Sequence, residues 1–228
     1  MCRLKKAIYG LCQAARQFYI RLDEILTKIG YSRLAADWAI WIRASDGAFI
    51  AVHVDDMAAV APDSATLDEI ATLFSQYMEL KDLGEIREYL AISVHQQTLE
   101  NGNHVFLLSQ AKYIIKLLAE YGMDTAFEVT APVLDSDKSQ WHKDDSPLLN
   151  SKAQKDYQAL IGSLLYLMHA TRPDIAYGVI RLSQYATCPR KRHWQALKRI
   201  LRYLKGTMFA CLTLGDIARE GTISHMNL

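Results

Sequence analysis

Ile50-Ala51-Val52-His53-Val54-Asp55-Asp56-Met57-Ala58-Ala59-Val60 sets two adjacent carboxylates inside an otherwise apolar, β-branched stretch. Such runs on both sides predict two strands, and the acid pair between them predicts the tight turn of an antiparallel hairpin. Neighbouring carboxylates repel each other unless a cation or hydrogen-bond donors compensate them, and Mg²⁺ with oxygen ligands is the natural compensator. Asp is also an ordinary turn residue, so on its own the pair favours a plain turn over a metal site.

Upstream, residues 38–43 and 49–54 are β-rich and are joined by Ala44-Ser45-Asp46-Gly47-Ala48, a hairpin signal. Residues 4–30 read as a helix, with Leu11, Ala15, Phe18, Tyr19, Leu22, Ile25, Leu26 and Ile29 at spacings of three and four and Gly30 as its stop. Downstream, Asp63 or Ser64 caps a helix running to about residue 78. A turn-containing connector over 80–84 leads to a strand over 89–94, its partner over 104–108 and a helix over 109–121. Residues 134–151 are polar and without periodicity, which makes them the expected domain boundary. Helices follow over 157–169, 175–186 and 189–206, with a break at Thr171-Arg172-Pro173-Asp174. The pattern is α+β.

Half of the 228 residues are apolar and 22% are charged, the composition of a folded chain rather than a disordered one. No apolar run approaches the ~20 residues that a membrane-spanning helix needs. The N-terminus lacks a secretion signal, and Cys2, Cys12, Cys188 and Cys211 are too sparse for a disulfide framework. Reduced thiols and an intracellular setting, cytoplasmic or nuclear, are expected. His95, His104, His142 and His193 lack zinc-ligand spacing. The net charge of +1 divides unevenly, with +5 over 1–36, −9 over 37–100, −3 over 101–150 and +8 over 151–228. Arg190, Lys191, Arg192, Lys198, Arg199, Arg202 and Lys205 fall in the last helix with no acid among them, while Trp194, Leu197, Leu201 and Leu204 form an apolar stripe. One face can pack and the other can meet phosphate.

The acid pair with its flanks resembles the Tyr-x-Asp-Asp motif of reverse transcriptases, with His53 in the aromatic slot. Further blocks are similar to those of copia-type retrotransposon polymerases: Leu4 to Tyr19, Leu80-Lys81-Asp82-Leu83-Gly84 with Tyr89-Leu90-Ala91-Ile92, and Leu108-Ser109-Gln110-Ala111-Lys112-Tyr113-Ile114. Ile161 to Leu167, Thr171 to Ala176, and His193 to Thr207 continue the series in order.

The resemblance implies a partial polymerase palm over 1–133, an antiparallel sheet with packed helices. A polar linker over 134–150, a helical thumb/connection segment over 151–210 and a tail over 211–228 would follow. It implies RNA- or DNA-templated nucleotidyl transfer with two Mg²⁺ ions held at Asp55 and Asp56, which are the catalytic residues. Gln13, Arg16 and Lys81 would meet nucleotide and template, and His53, Tyr89 and Ala91 the primer. The seven basic residues would hold the backbone of an RNA template and DNA primer duplex. The family's first carboxylate block, resembling D-V-x-x-A-F-L-N-G, precedes the point where this sequence begins, so an N-terminally truncated chain of weak or absent activity is expected. The alternative is a non-catalytic remnant or co-opted nucleic-acid-binding module. A palm without its first strand would also expose a sheet edge.

Overall fold

The computed structural model describes residues 11, 13–54, 56–100, 102, 104–134, 141 and 145–215. Two compact units divide the chain at Ile86 and Arg87.

In the first unit, α1 (Ala14–Lys28) precedes a four-stranded antiparallel sheet of β1 (Ser32–Arg33), β2 (Ile40–Arg43), β3 (Ala48–His53) and β4 (Asp56–Val60), and α2 (Ser64–Ser75) follows it. The period of two along β3 buries Ala48, Ile50 and Val52 and turns Phe49, Ala51 and His53 to the other face. Leu22, Ile25 and Leu26 of α1 and Ile70 and Phe74 of α2 join Trp41, Ile50 and Val52 in one core. The helices therefore cover one face of the sheet. Asp63 caps α2 by accepting a hydrogen bond from the Thr66 amide, as the sequence predicts. At the far end of the β2–β3 hairpin the buried Arg43 guanidinium pairs with Asp46 at 2.6 Å and Glu69 at 3.0 Å, tying the hairpin to α2.

The second unit carries another antiparallel sheet, β5 (Glu88–Tyr89), β6 (Ile92–Thr98), β7 (His104–Ser109) and β8 (Leu212–Gly215), in that order. Its helices are α3 (Ala111–Glu120), α4 (Ser151–Ala170), α5 (Ala176–Ser183) and α6 (Lys191–Gly206), with a 3₁₀ turn at Pro173–Ile175. One core unites them: Ile114 and Leu117 of α3, Tyr157, Leu160 and Leu164 of α4, Val179 and Leu182 of α5, and Leu197, Leu201 and Leu204 of α6. Among the described residues no helix is long and apolar enough to cross a membrane.

The α+β pattern is observed as a mixed fold with two antiparallel sheets. Three expectations change. The strand expected over 89–94 is split by a turn at Leu90 and Ala91, so Tyr89 pairs with Ile92. The expected tail at 211–228 begins with a strand, because Leu212 to Gly215 complete the sheet against Val105 to Leu108. Residues 134–150 are no free linker where they are described. Trp141 is buried in the helical core, the Leu149 amide donates to the Pro189 carbonyl, and Lys191 donates to the Pro147 carbonyl. Burying an indole and pairing these amides compensate for the segment's lack of periodicity, so the compact units meet at Ile86 and Arg87 instead.

Candidate functional site

β3 and β4 pair from Phe49 with Val60 up to His53 with Asp56, so the chain reverses tightly between His53 and Asp56, with Val54 in the turn. Val54 has φ +58, which such a turn demands and a β-branched residue resists. Backbone strain thus sits beside the acid pair. Asp55 lies outside the described residues.

Cross-strand partners share a face, so Asp56 lies with His53, Ala51 with Ala58, and Phe49 with Val60 on the side of the sheet opposite Ile50 and Val52. That side is the one α1 and α2 leave uncovered. His53 and Asp56 are both exposed, and the two alanines behind them leave the surface low. The carboxylate and the imidazole form an open tip that another molecule's backbone could approach.

The oxygen donor of Asp56 suits Mg²⁺. Among the described residues, however, no group of three or more His, Cys, Asp and Glu stands ready to hold a metal. Asp46 is committed to Arg43, whose hydrogen bond holds its carboxyl below the usual range, and Asp37 accepts from the Ala39 amide. The described donors therefore fit one edge of a metal site rather than a whole one.

The other sequence-derived candidates are dispersed. Gln13 stands at the N-cap of α1 and its carbonyl accepts from the Gln17 amide. Arg16 is exposed in the first turn, and Lys81 is exposed in the connector after α2. These and His53 belong to the first unit. Tyr89 and Ala91 belong to the second, at the β5–β6 turn, where Leu90 and Ala91 both have positive φ, +50 and +59. The Tyr166 hydroxyl donates to the Leu90 carbonyl and holds that turn to α4.

Several of the basic residues on α6 turn out to hold the chain's own backbone. Arg190 donates to the Ser146 carbonyl at 2.5 Å, Arg199 through Nε to the Ala131 carbonyl at 3.1 Å, and Lys205 to the Ala126 carbonyl at 2.8 Å. Lys198 lies 5.8 Å from the Trp194 ring centroid, and Lys191 is exposed. Arg192 and Arg202 are half-buried on the same helix.

The distal blocks that carry the resemblance resolve into packing contacts that the spacing could not show. Gln110 accepts a hydrogen bond from Thr171 at 2.8 Å, 61 positions away. Tyr113 meets Tyr166 edge to face at 5.2 Å, and His193 stacks on Tyr185 at 4.0 Å.

Residues 1–135 match the family described as reverse transcriptase (RNA-dependent DNA polymerase). The chain belongs to the reverse transcriptase family. Several of the similar curated proteins are retrotransposon products of the copia type. The retrovirus-related Pol polyprotein from transposon RE1 of Arabidopsis thaliana is 38% identical over 209 residues, which is 91% of this chain and 14% of that protein. The corresponding polyprotein from transposon TNT 1-94 of Nicotiana tabacum is 34% identical over 222 residues, 94% of this chain and 16% of that protein. This reverse transcriptase chain thus spans a small part of the length of its curated relatives. No solved structure matches it.

Proposed function

We propose that the chain carries the catalytic hairpin of a copia-type reverse transcriptase, with the first unit as part of a polymerase palm and the helices of the second as a thumb/connection segment. The reading rests on one observation: Asp56 opens β4 directly across from His53, exposed on the sheet face that the helices leave bare. Asp55 and Asp56 would hold Mg²⁺. When bound, the metal supplies Lewis acidity for attack of a primer 3′ hydroxyl on a deoxynucleotide's phosphate.

The chain's own residues serve that reaction by position. His53 borders the primer terminus, and the alanines behind it admit the sugar-phosphate backbone. The Tyr89–Ala91 turn grips the primer strand, while Gln13, Arg16 and Lys81 face template and nucleotide. Catalytic groups that act as a unit lose on the order of 10³–10⁶ in rate when one is missing. The 228-residue polypeptide is therefore expected to add nucleotides weakly or not at all unless a further carboxylate joins the pair.

A second reading, a nucleic-acid-binding module without catalysis, is favoured by the absence of any acid between Arg190 and Thr207. One experiment separates the two. The purified chain is given a primed RNA template, deoxynucleotides and Mg²⁺, alongside Asp55→Asn and Asp56→Asn. Duplex binding with no extension above the variants is expected. Extension abolished by either substitution would establish an active polymerase, and failure to bind the duplex would sink both readings.

A further inference from the structure

Trp41 and Trp141 are buried and Trp194 is half-buried, whereas Trp38 is 68% exposed. A loose surface indole would need no explanation, but this one is held from several sides. It lies in a turn closed by the Ile40 amide donating to the Asp37 carbonyl at 3.1 Å and by the Ala39 amide donating to the Asp37 carboxylate at 2.9 Å. The Tyr19 hydroxyl of α1 donates to the Trp38 carbonyl at 3.2 Å. The Arg33 guanidinium stands 5.4 Å from the Trp38 ring centroid, 4.6 Å from that of Tyr19 and 4.9 Å from that of Trp41. Asp23 fixes that guanidinium with an ion pair of 2.5 Å. The indole therefore rests on a clamped cation while most of its surface meets solvent. Its place on the sheet is also defined. Ile40 pairs with Ala51 and the Ala39 carbonyl accepts from the Val52 amide, so Trp38 stands at the end where the chain reverses between His53 and Asp56. Arg16 is exposed three residues before Tyr19, one turn away on the same side of α1.

We propose that Trp38 is a stacking platform for a base of an unpaired nucleic-acid strand, with Arg16 meeting a phosphate of the same strand. The proposal rests on the polymerase reading above and adds to it a residue that lies outside every block carrying the resemblance. An indole fixed beforehand loses little freedom when a flat ring settles on it. Every base offers a π face, so the contact holds a strand without reading its sequence. The neighbours of Trp38 at that end of the sheet, Asp37, His53 and Asp56, are polar and exposed, which suits a ring with polar edges better than an apolar protein surface.

Its test uses the full chain without Mg²⁺ and reads binding alone, so it stands whether or not the hairpin adds nucleotides. A single-stranded oligonucleotide and an abasic strand of equal length and charge are titrated across a salt series while indole emission is recorded. The base-bearing strand is expected to quench the emission and to bind about tenfold more tightly than the abasic one. Trp38→Ala is expected to remove both the quenching and that advantage at every salt concentration. Trp38→Phe is expected to keep most of the affinity, because a ring remains. Arg16→Gln is expected instead to lower the salt slope by about 0.7 while the quenching persists. The comparison of the two strands on the unaltered protein stays decisive even if a variant unfolds. Base-bearing and abasic strands bound alike, or an advantage that survives Trp38→Ala, would overturn the platform and leave the polymerase reading intact. Failure to bind either strand would overturn it too, and the reading falls with it only if the primed duplex is also left unbound.

Discussion

Ala91 holds φ +59 beside Leu90 at φ +50, the pair of left-handed conformations that a two-residue hairpin turn requires and that Asn-Gly ordinarily fills. A residue with a Cβ loses roughly 1–2 kcal/mol there. Glycine would relieve this, against about 0.4–1 kcal/mol for its larger unfolded-state entropy. Ala91→Gly is therefore expected to stabilise the fold by roughly 0.5–1 kcal/mol in urea titration; a loss of stability would show that the turn is not strained. Arg172 presents a different case. The sequence displays it in a Thr-Arg-Pro-Asp block, yet its task emerges only on folding. Its buried guanidinium binds the Thr207 carbonyl at 3.0 Å, the Thr207 hydroxyl at 2.6 Å and both carboxylate oxygens of Asp174, so it caps the C-terminal end of α6. Burial pushes the Asp174 carboxyl up, but the hydrogen bond and charge of Arg172 outweigh it, with help from the Tyr203 hydroxyl, and hold it below its ordinary 3.8. A carboxyl depressed by folding contributes stability that is fully present above its unfolded value and is lost as pH falls through the folded one. Asp174→Asn should thus lower the melting temperature at neutral pH and flatten its decline below about pH 4. Parallel acid melting curves for the two proteins would contradict this.

The helix α6 was legible as an element because its apolar residues recur at helical spacing, and Leu197, Leu201 and Leu204 are indeed buried. What the spacing left open was the partner of each basic side chain. Arg199 and Lys205 turn back to carbonyls at Ala131 and Ala126, contacts 68 and 79 positions distant that no local pattern encodes. The same holds for the segment before α4, whose polar composition suggests a linker although Trp141 anchors it in the core. Helix α5 shows how tightly these elements meet. A Cβ on Gly178 would come 2.7 Å from Val133 Cγ2 and 3.1 Å from Ile200 Cδ1, closer than packed carbons approach. The helix propensity that alanine brings is about 1 kcal/mol, and overpacking at a rigid contact costs typically 1–3 kcal/mol. Gly178→Ala is expected to lower stability on balance, and a higher melting temperature would mean that α5 can shift away from Val133 and α6.

Across the molecule, two compact units adjoin at Ile86 and Arg87, and residues 79–87 are exposed without regular structure among them. Backbone of that kind is a preferred site of proteolysis. Brief trypsin treatment is expected to cut after Lys81 while α4 to α6 survive, as mass spectrometry of the fragments would report. Digestion of those helices with the bond after Lys81 intact would contradict the division. The chain's α+β character, the Asp46-Gly47 hairpin, the acid-bearing turn and the helix stripes were all present in the sequence, because each follows from a short period of apolar residues and the chemistry of turns. Tertiary structure alone decided that Asp56 shares the bare face of its sheet with His53. It also placed Leu212 to Gly215 beside β7 and turned Arg199 and Lys205 back onto distant carbonyls. These depend on which surfaces bury one another across tens of residues, and no local spacing carries that information.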